Sequence, residues 1–460
     1  MSAFSIATLA PQLRAGTLSP VALVEAALDG IARHDGALQS FVHISATARA
    51  AAEEAARDIR AGQYRGPLHG VPIAIKDNYL TRDMPTTAGT TAPGIAFPMV
   101  DSTAAARLRA AGAILIGKTR THEFAWGTVT PPTANPWDKG RVPGGSSGGS
   151  GAAVAAGFVA AALGTDTGGS IRIPASLCGV VGLKATFGRI SRAGVVPHSW
   201  SLDHAGPLTR SVADAALMLG ALAGADPGDP ACSKRPVPDY AAALGTPIAG
   251  LRLGVCRNHF FARNQPDVEA AVEQAIRDLA GAGALIREIA IPNLDHALGA
   301  IFAVELASST AYHDVSLRAG RVRHFSPDVR ALVEMGRLVT GADYLKAEQF
   351  RRVLMDDFRR AFAELDVIIG PTLPLTAWRK GEWEVAVAGA AESVLAASWR
   401  LTYPYNLTGL PAISVPCGFD RHGLPIGLQI AGKPFAEAMV LRVADAYERR
   451  HDWAARLPPL

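Results

Sequence analysis

Gly144-Gly145-Ser146-Ser147-Gly148-Gly149-Ser150-Gly151, then an apolar run, then Gly164-Thr165-Asp166-Thr167-Gly168-Gly169-Ser170: this stretch restricts the fold more than any other. Two clusters of small polar residues flank a segment too apolar for a loop. Residues 152–164 amount to about half of the roughly 20 residues a membrane span requires, so the run reads as a buried helix over about 149–163. Glycines let the backbone approach a bound molecule closely, and the serines beside them carry hydroxyls. A hydroxyl is a poor nucleophile until a base takes its proton, and a tetrahedral intermediate needs N–H donors around its oxyanion. A lone lysine upstream, in Val71-Pro72-Ile73-Ala74-Ile75-Lys76-Asp77, is a candidate for that base.

Outward from this stretch, strand and helix patterns alternate. Ser19-Pro20 followed by Val21-Ala22-Leu23-Val24 has the cap serine and first-turn proline of an amphipathic helix. An alanine-rich helix is predicted over about 46–61, a short buried strand over 71–75, a helix over 103–111 and a strand over 114–116. Downstream, Ser211 opens a capped helix, and a strand (251–255), a helix (266–281) and a strand (284–291) follow. Residues 302–363 read as mainly helical. Val367-Ile368-Ile369 is a strand, and 412–416 with 426–430 reads as a closing hairpin. The sum predicts an α/β fold with a large, mixed but mostly parallel sheet covered by helices on both faces. No stretch of the 460 residues reads as a linker, so residues 1–460 are expected to form one domain.

Hydrophobic residues make up 49% and charged residues 19%, enough for a deep core and contrary to disorder. The net charge of +4 is diluted over the whole length, with no basic run, so nucleic acid is not expected as a direct partner. The cysteines, Cys178, Cys232, Cys256 and Cys417, are far apart without CxxC spacing, which suggests neither a metal site nor a disulfide framework and fits a cytoplasmic location. The first twenty residues carry no basic stretch followed by a long apolar core, so neither a secretory signal nor a membrane partner is expected.

Each motif has a plain reading beside the chemical one. Lys76, at the end of an apolar strand, would lose hydration and proton affinity, leaving a neutral amine to act as base; alternatively it is an exposed lysine paired with Asp77. The first cluster lacks the GK[ST] of a phosphate loop. Gly144-x-Ser146-x-Gly148 matches a nucleophile elbow, but residues 137–143 are polar and proline-broken where a strand should precede it. A tight loop holding Ser146 beside a second serine is the third reading. In the second cluster, Thr167-Gly168-Gly169-Ser170 sets successive N–H groups around one hydroxyl, as an anion-binding nest does, or is simply a glycine-rich turn. His69, His122, His198 and His204 leave a Ser-His-Asp arrangement open, although none sits in a recognisable local context.

Together these segments closely resemble the amidase signature family. The match runs from Gly70 to about Gly206, taking in Ile171-Arg172-Ile173-Pro174-Ala175 and Cys178-Gly179-Val180-Val181-Gly182-Leu183-Lys184. It resumes at Asn406-Leu407-Thr408-Gly409-Leu410-Pro411 and Gly423-Leu424-Pro425-Ile426-Gly427. The resemblance implies an amidohydrolase of linear C–N amide bonds acting through an acyl-enzyme. In it Ser170 is the nucleophile, Ser146 a bridging serine after a cis peptide, and Lys76 the terminal base. Backbone N–H groups of Thr167, Gly168, Gly169 and Ser170 form the oxyanion hole. It implies no metal and no organic cofactor, and a small-molecule amide as partner. Arg172, next to the nucleophile, is expected to support the loop.

Within the family, the chain is similar to the A subunits of glutamyl-tRNA amidotransferases in its glycine-leucine-proline ending and in the segment from Lys118-Thr119 to Glu123-Phe124-Ala125. The likeness thins over about 211–405, the region expected to determine substrate, where Tyr312-His313-Asp314-Val315 stands in place of a DGVRYG-like segment. A free-standing amidase is therefore the reading preferred over a glutaminase-type subunit. Ureido or carbamoyl hydrolases and esterases use the same acyl-enzyme chemistry and stay open; a scaffold that has lost turnover would be marked by a substituted Lys76, Ser146 or Ser170, and none is substituted. Trp126, with Gly127, Thr128 and Tyr312, is a candidate for the substrate pocket, Trp126 either stacking on the acyl group or filling core. A homodimer is an ordinary expectation for such an enzyme.

Overall fold

The computed structural model describes residues 5–460. In β2 (Pro72–Lys76), Ile73 and Ile75 join the apolar cluster on one side of the sheet and Ala74 the cluster on the other. β4 (Ala161–Asp166) divides in the same way, Ala161 and Leu163 against Ala162. Successive strand side chains point to opposite faces, so a strand covered on both sides must be apolar throughout.

Eleven strands form one sheet, in the order β1-β3-β2-β4-β6-β5-β12-β13-β9-β7-β8. The others are β1 (Phe41–Ile44), β3 (Ile114–Thr119), β5 (Val181–Lys184), β6 (His204–Thr209), β7 (Arg252–Cys256), β8 (Leu285–Ile289), β9 (Val367–Pro371), β12 (Ala412–Phe419) and β13 (Pro425–Gly432). A separate hairpin pairs β10 (Glu384–Val387) with β11 (Ala390–Ser393). One face is covered by helices Ile6–Arg14, Thr103–Ala110, Val212–Leu222, Pro266–Gly281 and Glu437–Glu448. The opposite face is covered by Pro20–Leu38, Ala48–Arg60, Gly148–Ala155 and Arg172–Cys178 at one end, and by Ala297–Tyr312 and Gly341–Ala361 at the other. No helix among the described residues is long and apolar enough to cross a membrane.

The α/β class and two-sided cover are as expected, with two corrections. Strands run parallel in the flanking triplets β3-β2-β4 and β9-β7-β8, but β4, β6, β5, β12, β13 and β9 pair antiparallel across the centre. The β12–β13 hairpin forces one of these reversals, since a short turn can only join antiparallel neighbours. The helix expected over 149–163 is also shorter, Gly148–Ala155. Gly157 at φ +71° breaks it, and the apolar residues beyond enter β4. Apolar character alone does not separate a buried helix from a strand buried on both faces.

Candidate active site

β2 and β4 are parallel neighbours, with Ile75 opposite Leu163, so their carboxyl ends emerge together. One delivers Lys76 and the other Thr165-Asp166, at the sheet edge where α/β folds place their sites. The Gly144–Ser147 loop closes over this edge as it enters helix Gly148–Ala155. Lys76 is fully buried. Its Nζ donates to Ser146 Oγ at 2.8 Å, Ser147 Oγ at 2.9 Å and Thr165 Oγ1 at 2.7 Å. Asp77 turns elsewhere and faces Lys118 at 3.3 Å, so the plain reading of a Lys76–Asp77 pair does not hold. Burial pushes the Lys76 amine down to about 7, although the negative charges of Asp203 and Asp166 pull the other way.

The three hydroxyls are not equivalent. Ser147 Oγ donates to the Thr165 carbonyl at 3.1 Å and accepts the Thr165 N–H at 3.2 Å. Its proton is committed, and toward Lys76 it can only accept. Thr165 Oγ1 also accepts from Asn78 Nδ2 at 3.1 Å. Ser146 follows a cis peptide bond from Gly145. Its carbonyl accepts the His122 N–H at 3.1 Å and Thr130 Oγ1 at 3.3 Å. A side chain on Gly145 would strike the Val129 backbone, which explains glycine there.

Between β4 and helix Arg172–Cys178, the second cluster forms a tight turn. Its carbonyls are occupied: Gly168 O accepts Thr402 Oγ1 at 2.5 Å, Gly169 O accepts the Ile173 N–H at 2.7 Å, and Ser170 O accepts the Ser147 N–H at 3.3 Å. The N–H groups of Gly168, Gly169 and Ser170, by contrast, donate to no protein acceptor among the described residues. Gly169 sits at φ +136°, and a Cβ there would come within 2.5 Å of Thr402 Oγ1. Thr167 Oγ1 donates to Asp203 at 2.6 Å. The Ser170–Ser147 backbone link ties the turn to the loop that carries Ser146 and Ser147, while among the described residues no hydrogen bond joins Ser170 Oγ to Ser146 Oγ.

Arg172 anchors the turn from behind. Its Nε and Nη2 each lie 3.0 Å from an Asp166 oxygen, and its guanidinium also reaches the Thr402 carbonyl, Gln429 Oε1 and Asn406 Oδ1. Burial would raise the Asp166 carboxyl, but the Arg172 charge and hydrogen bonds outweigh it and hold the group below the usual carboxylate range.

Of the pocket candidates, Trp126 is fully buried, donates Nε1 to Ser309 Oγ at 2.8 Å and packs edge-on to His198 at 4.1 Å. It occupies core here. Gly127, at φ +75°, lies against the His122 imidazole. Thr128 is fully buried, and its Oγ1 has no protein partner among the described residues. Tyr312 ends helix Ala297–Tyr312, 40% exposed, with its ring against His313 rather than the Lys76 cluster. A cavity of about 610 Å³ is lined in part by Val129, Thr130, Val142 and Pro143, and its lining includes none of Lys76, Ser146 and Ser170.

Sequence reasoning passed over Ser147, Thr165, Asn78 and Asp203. Ser147 and Thr165 stood inside the two glycine-rich clusters, and their hydroxyl chemistry was the available signal. Asn78 stands only two residues beyond Lys76, whereas Asp203 reaches the site through tertiary folding.

The family model described as Amidase matches residues 22–441. An amidase of Pseudomonas putida is 44% identical over 100% of this chain and 98% of its own length. The A subunit of a glutamyl-tRNA(Gln) amidotransferase from Roseiflexus sp. (strain RS-1) is 43% identical over 97% of this chain and 96% of its own. A crystal structure of an amidase superposes with a TM-score of 0.88 at 35% identity, covering 97% of this chain and 100% of the other. An α/β fold of this topology, amidase relatives matched from end to end and a serine–lysine cluster at the strand ends agree: the chain belongs to the amidase family, the amidase signature enzymes, and is an amide-hydrolysing enzyme.

Proposed function

We propose that the chain is a free-standing hydrolase of linear amides whose nucleophile is Ser170, whose proton relay is Ser146 and whose base is Lys76. The observation that carries this reading is a buried amine surrounded by hydroxyls, with no carboxylate among the described residues in contact to hold its proton. In the neutral amine two N–H groups serve Ser147 and Thr165, and the lone pair accepts the Ser146 proton. Ser146 in turn takes the Ser170 proton as Ser170 Oγ bonds to the carbonyl carbon. The free N–H groups of Gly168, Gly169 and Ser170, with that of Thr167, receive the oxyanion. As the C–N bond breaks, the relay returns its proton to the departing nitrogen, since an amide anion is too basic to leave unaided. Water then cleaves the acyl-enzyme by the same route in reverse. Residues 1–460 act as one catalytic unit, about 70–206 supplying the machinery and about 211–405 shaping substrate choice.

A second reading, ammonia release from glutamine for a partner protein, rests on the identity with an amidotransferase A subunit. Assaying the purified chain alone on aliphatic, aromatic and ureido amides and on glutamine separates the two. Ammonia from simple amides supports the free-standing enzyme; glutamine turnover only with an added partner overturns it. Phenylmethylsulfonyl fluoride should label Ser170 on peptide mapping, and a label on Ser146 would transfer the nucleophile role to it.

A further inference from the structure

We propose that His198, Glu305 and Tyr403 are positioning residues that brace the oxyanion turn, an inference that rests on the proposed Ser170 mechanism. The ring of Tyr403 occupies the space where a side chain on Gly168 would be. Tyr403 OH donates to Glu305 Oε2 at 2.9 Å, and Glu305 Oε1 lies 2.7 Å from His198 Nε2. The His198 backbone N–H donates to Asp203 Oδ2 at 2.9 Å, and Asp203 Oδ1 accepts Thr167 Oγ1 at 2.6 Å. Thr167 and Gly168 are consecutive, so the path leaves the turn at one residue and returns at the next. Each of the five side chains is at most 6% exposed.

The protons in this circuit are fixed by its ends. His198 Nδ1 faces the Phe124 carbonyl at 3.2 Å, which can only accept, so Nδ1 carries hydrogen. One further proton then lies between Nε2 and Glu305, and that bond is filled whichever atom holds it. Trp126 packs against the imidazole and hydrogen-bonds Ser309, one turn beyond Glu305 on the same helix. The candidate pocket tryptophan is thus a buttress of the circuit.

Apolar side chains of similar volume would fill this space at equal or better stability. A satisfied polar network adds direction instead: it fixes the Tyr403 ring, and with it the path of the Gly168 backbone. Oxyanion donors act only at the right distance from the developing charge, and small misplacements cost rate rather than binding. Glu305 lies on helix Ala297–Tyr312, so the substrate-determining half of the chain sets the rate of the chemical step as well as its specificity.

Tyr403→Phe, which keeps the ring, and Glu305→Gln, which keeps the shape, test the brace. The probes are p-nitrophenyl butyrate, an amide the chain turns over, and the rate of sulfonylation by phenylmethylsulfonyl fluoride. Each variant should lose about tenfold to a hundredfold in kcat with KM within about twofold, and should be sulfonylated more slowly. The double variant should be no worse than the poorer single one, since both break one circuit. Unchanged kcat and labelling in Tyr403→Phe, a loss carried by KM, or effects that multiply would each overturn the brace. If Glu305→Gln does not fold, Tyr403→Phe decides alone. Native turnover by Ser170→Ala would instead break the underlying mechanism, so the two failures are distinguishable.

Discussion

Two buried basic side chains beside the same turn have opposite characters. Lys76, at the carboxyl end of β2, and Arg172, at the start of helix Arg172–Cys178, are both fully buried. Among the described residues Lys76 hydrogen-bonds only to neutral hydroxyls, and burial drops its amine to about 7. Arg172 meets Asp166 through two parallel contacts of 3.0 Å, and the carboxylate is stabilised by it. Burial penalises both charges; the partner decides the outcome. A carboxylate fixes the charge and makes a structural tie, whereas neutral acceptors leave a lysine free to lose its proton.

The largest effect expected from this contrast is on turnover. Lys76→Met should lower amide kcat by about a thousandfold, within the range a positioned general base contributes, while far-UV dichroism stays native. Near-normal turnover would return attention to the histidines, of which His198 and His204 are both buried near the turn. Arg172→Leu should act the other way round, on folding first. It leaves Asp166 buried and unpaired, at a cost of about 3–5 kcal/mol in chemical denaturation. Asp166→Leu added to Arg172→Leu should recover part of that loss, and strictly additive losses would show that the two are not one tie.

This contrast also separates what was legible in the sequence from what was not. Lys76, Ser146 and Ser170 stood in short local motifs, and the family resemblance of those motifs made them candidates. The apolar strand before Lys76 left two readings open, a buried amine or an exposed lysine paired with Asp77, and the fold decides for the first. That Asp77 would turn to Lys118, and that Arg172 would meet Asn406 and Gln429 more than 200 residues away, depended on tertiary contacts. No periodicity encodes such pairings. The sheet divides similarly. Seven of the eleven strands of the sheet followed from apolar runs, whereas β1, β4, β5 and β6 did not; the antiparallel centre depends on which strands become neighbours, and the boundary near Gly157 was hidden because helix and strand there are equally apolar.

A smaller effect comes from reading the same Lys76→Met variant for stability. Folded Lys76 titrates near 7, below the 10.5 of an ordinary lysine. Between those values the unfolded chain holds a proton that the folded chain lacks, so the contribution of this group to stability rises with pH across the window, and its penalty is full below about 7. Lys76→Met should therefore be neutral or stabilising, by up to about 4 kcal/mol at pH 6, with the difference fading toward pH 10. Destabilisation at pH 6 comparable to that of Arg172→Leu would mean that both cations are structural.

Thr165→Val should give the smallest change and the sharpest one. In the proposed mechanism only the neutral amine is active, so kcat/KM of the native chain should climb with pH through about 7. Thr165 Oγ1 accepts from Nζ at 2.7 Å and favours the ammonium over the amine. Valine keeps the shape and removes that acceptor, so the proton is held less tightly and the ascending limb should move to lower pH. One hydrogen bond is worth about 1 kcal/mol, which limits the displacement to somewhat under one pH unit. Asn78 also loses an acceptor, so a modest drop in melting temperature should accompany the shift. A limb displaced upward, or one that stays in place in both chains, would show that the group titrating in kcat/KM is not Lys76.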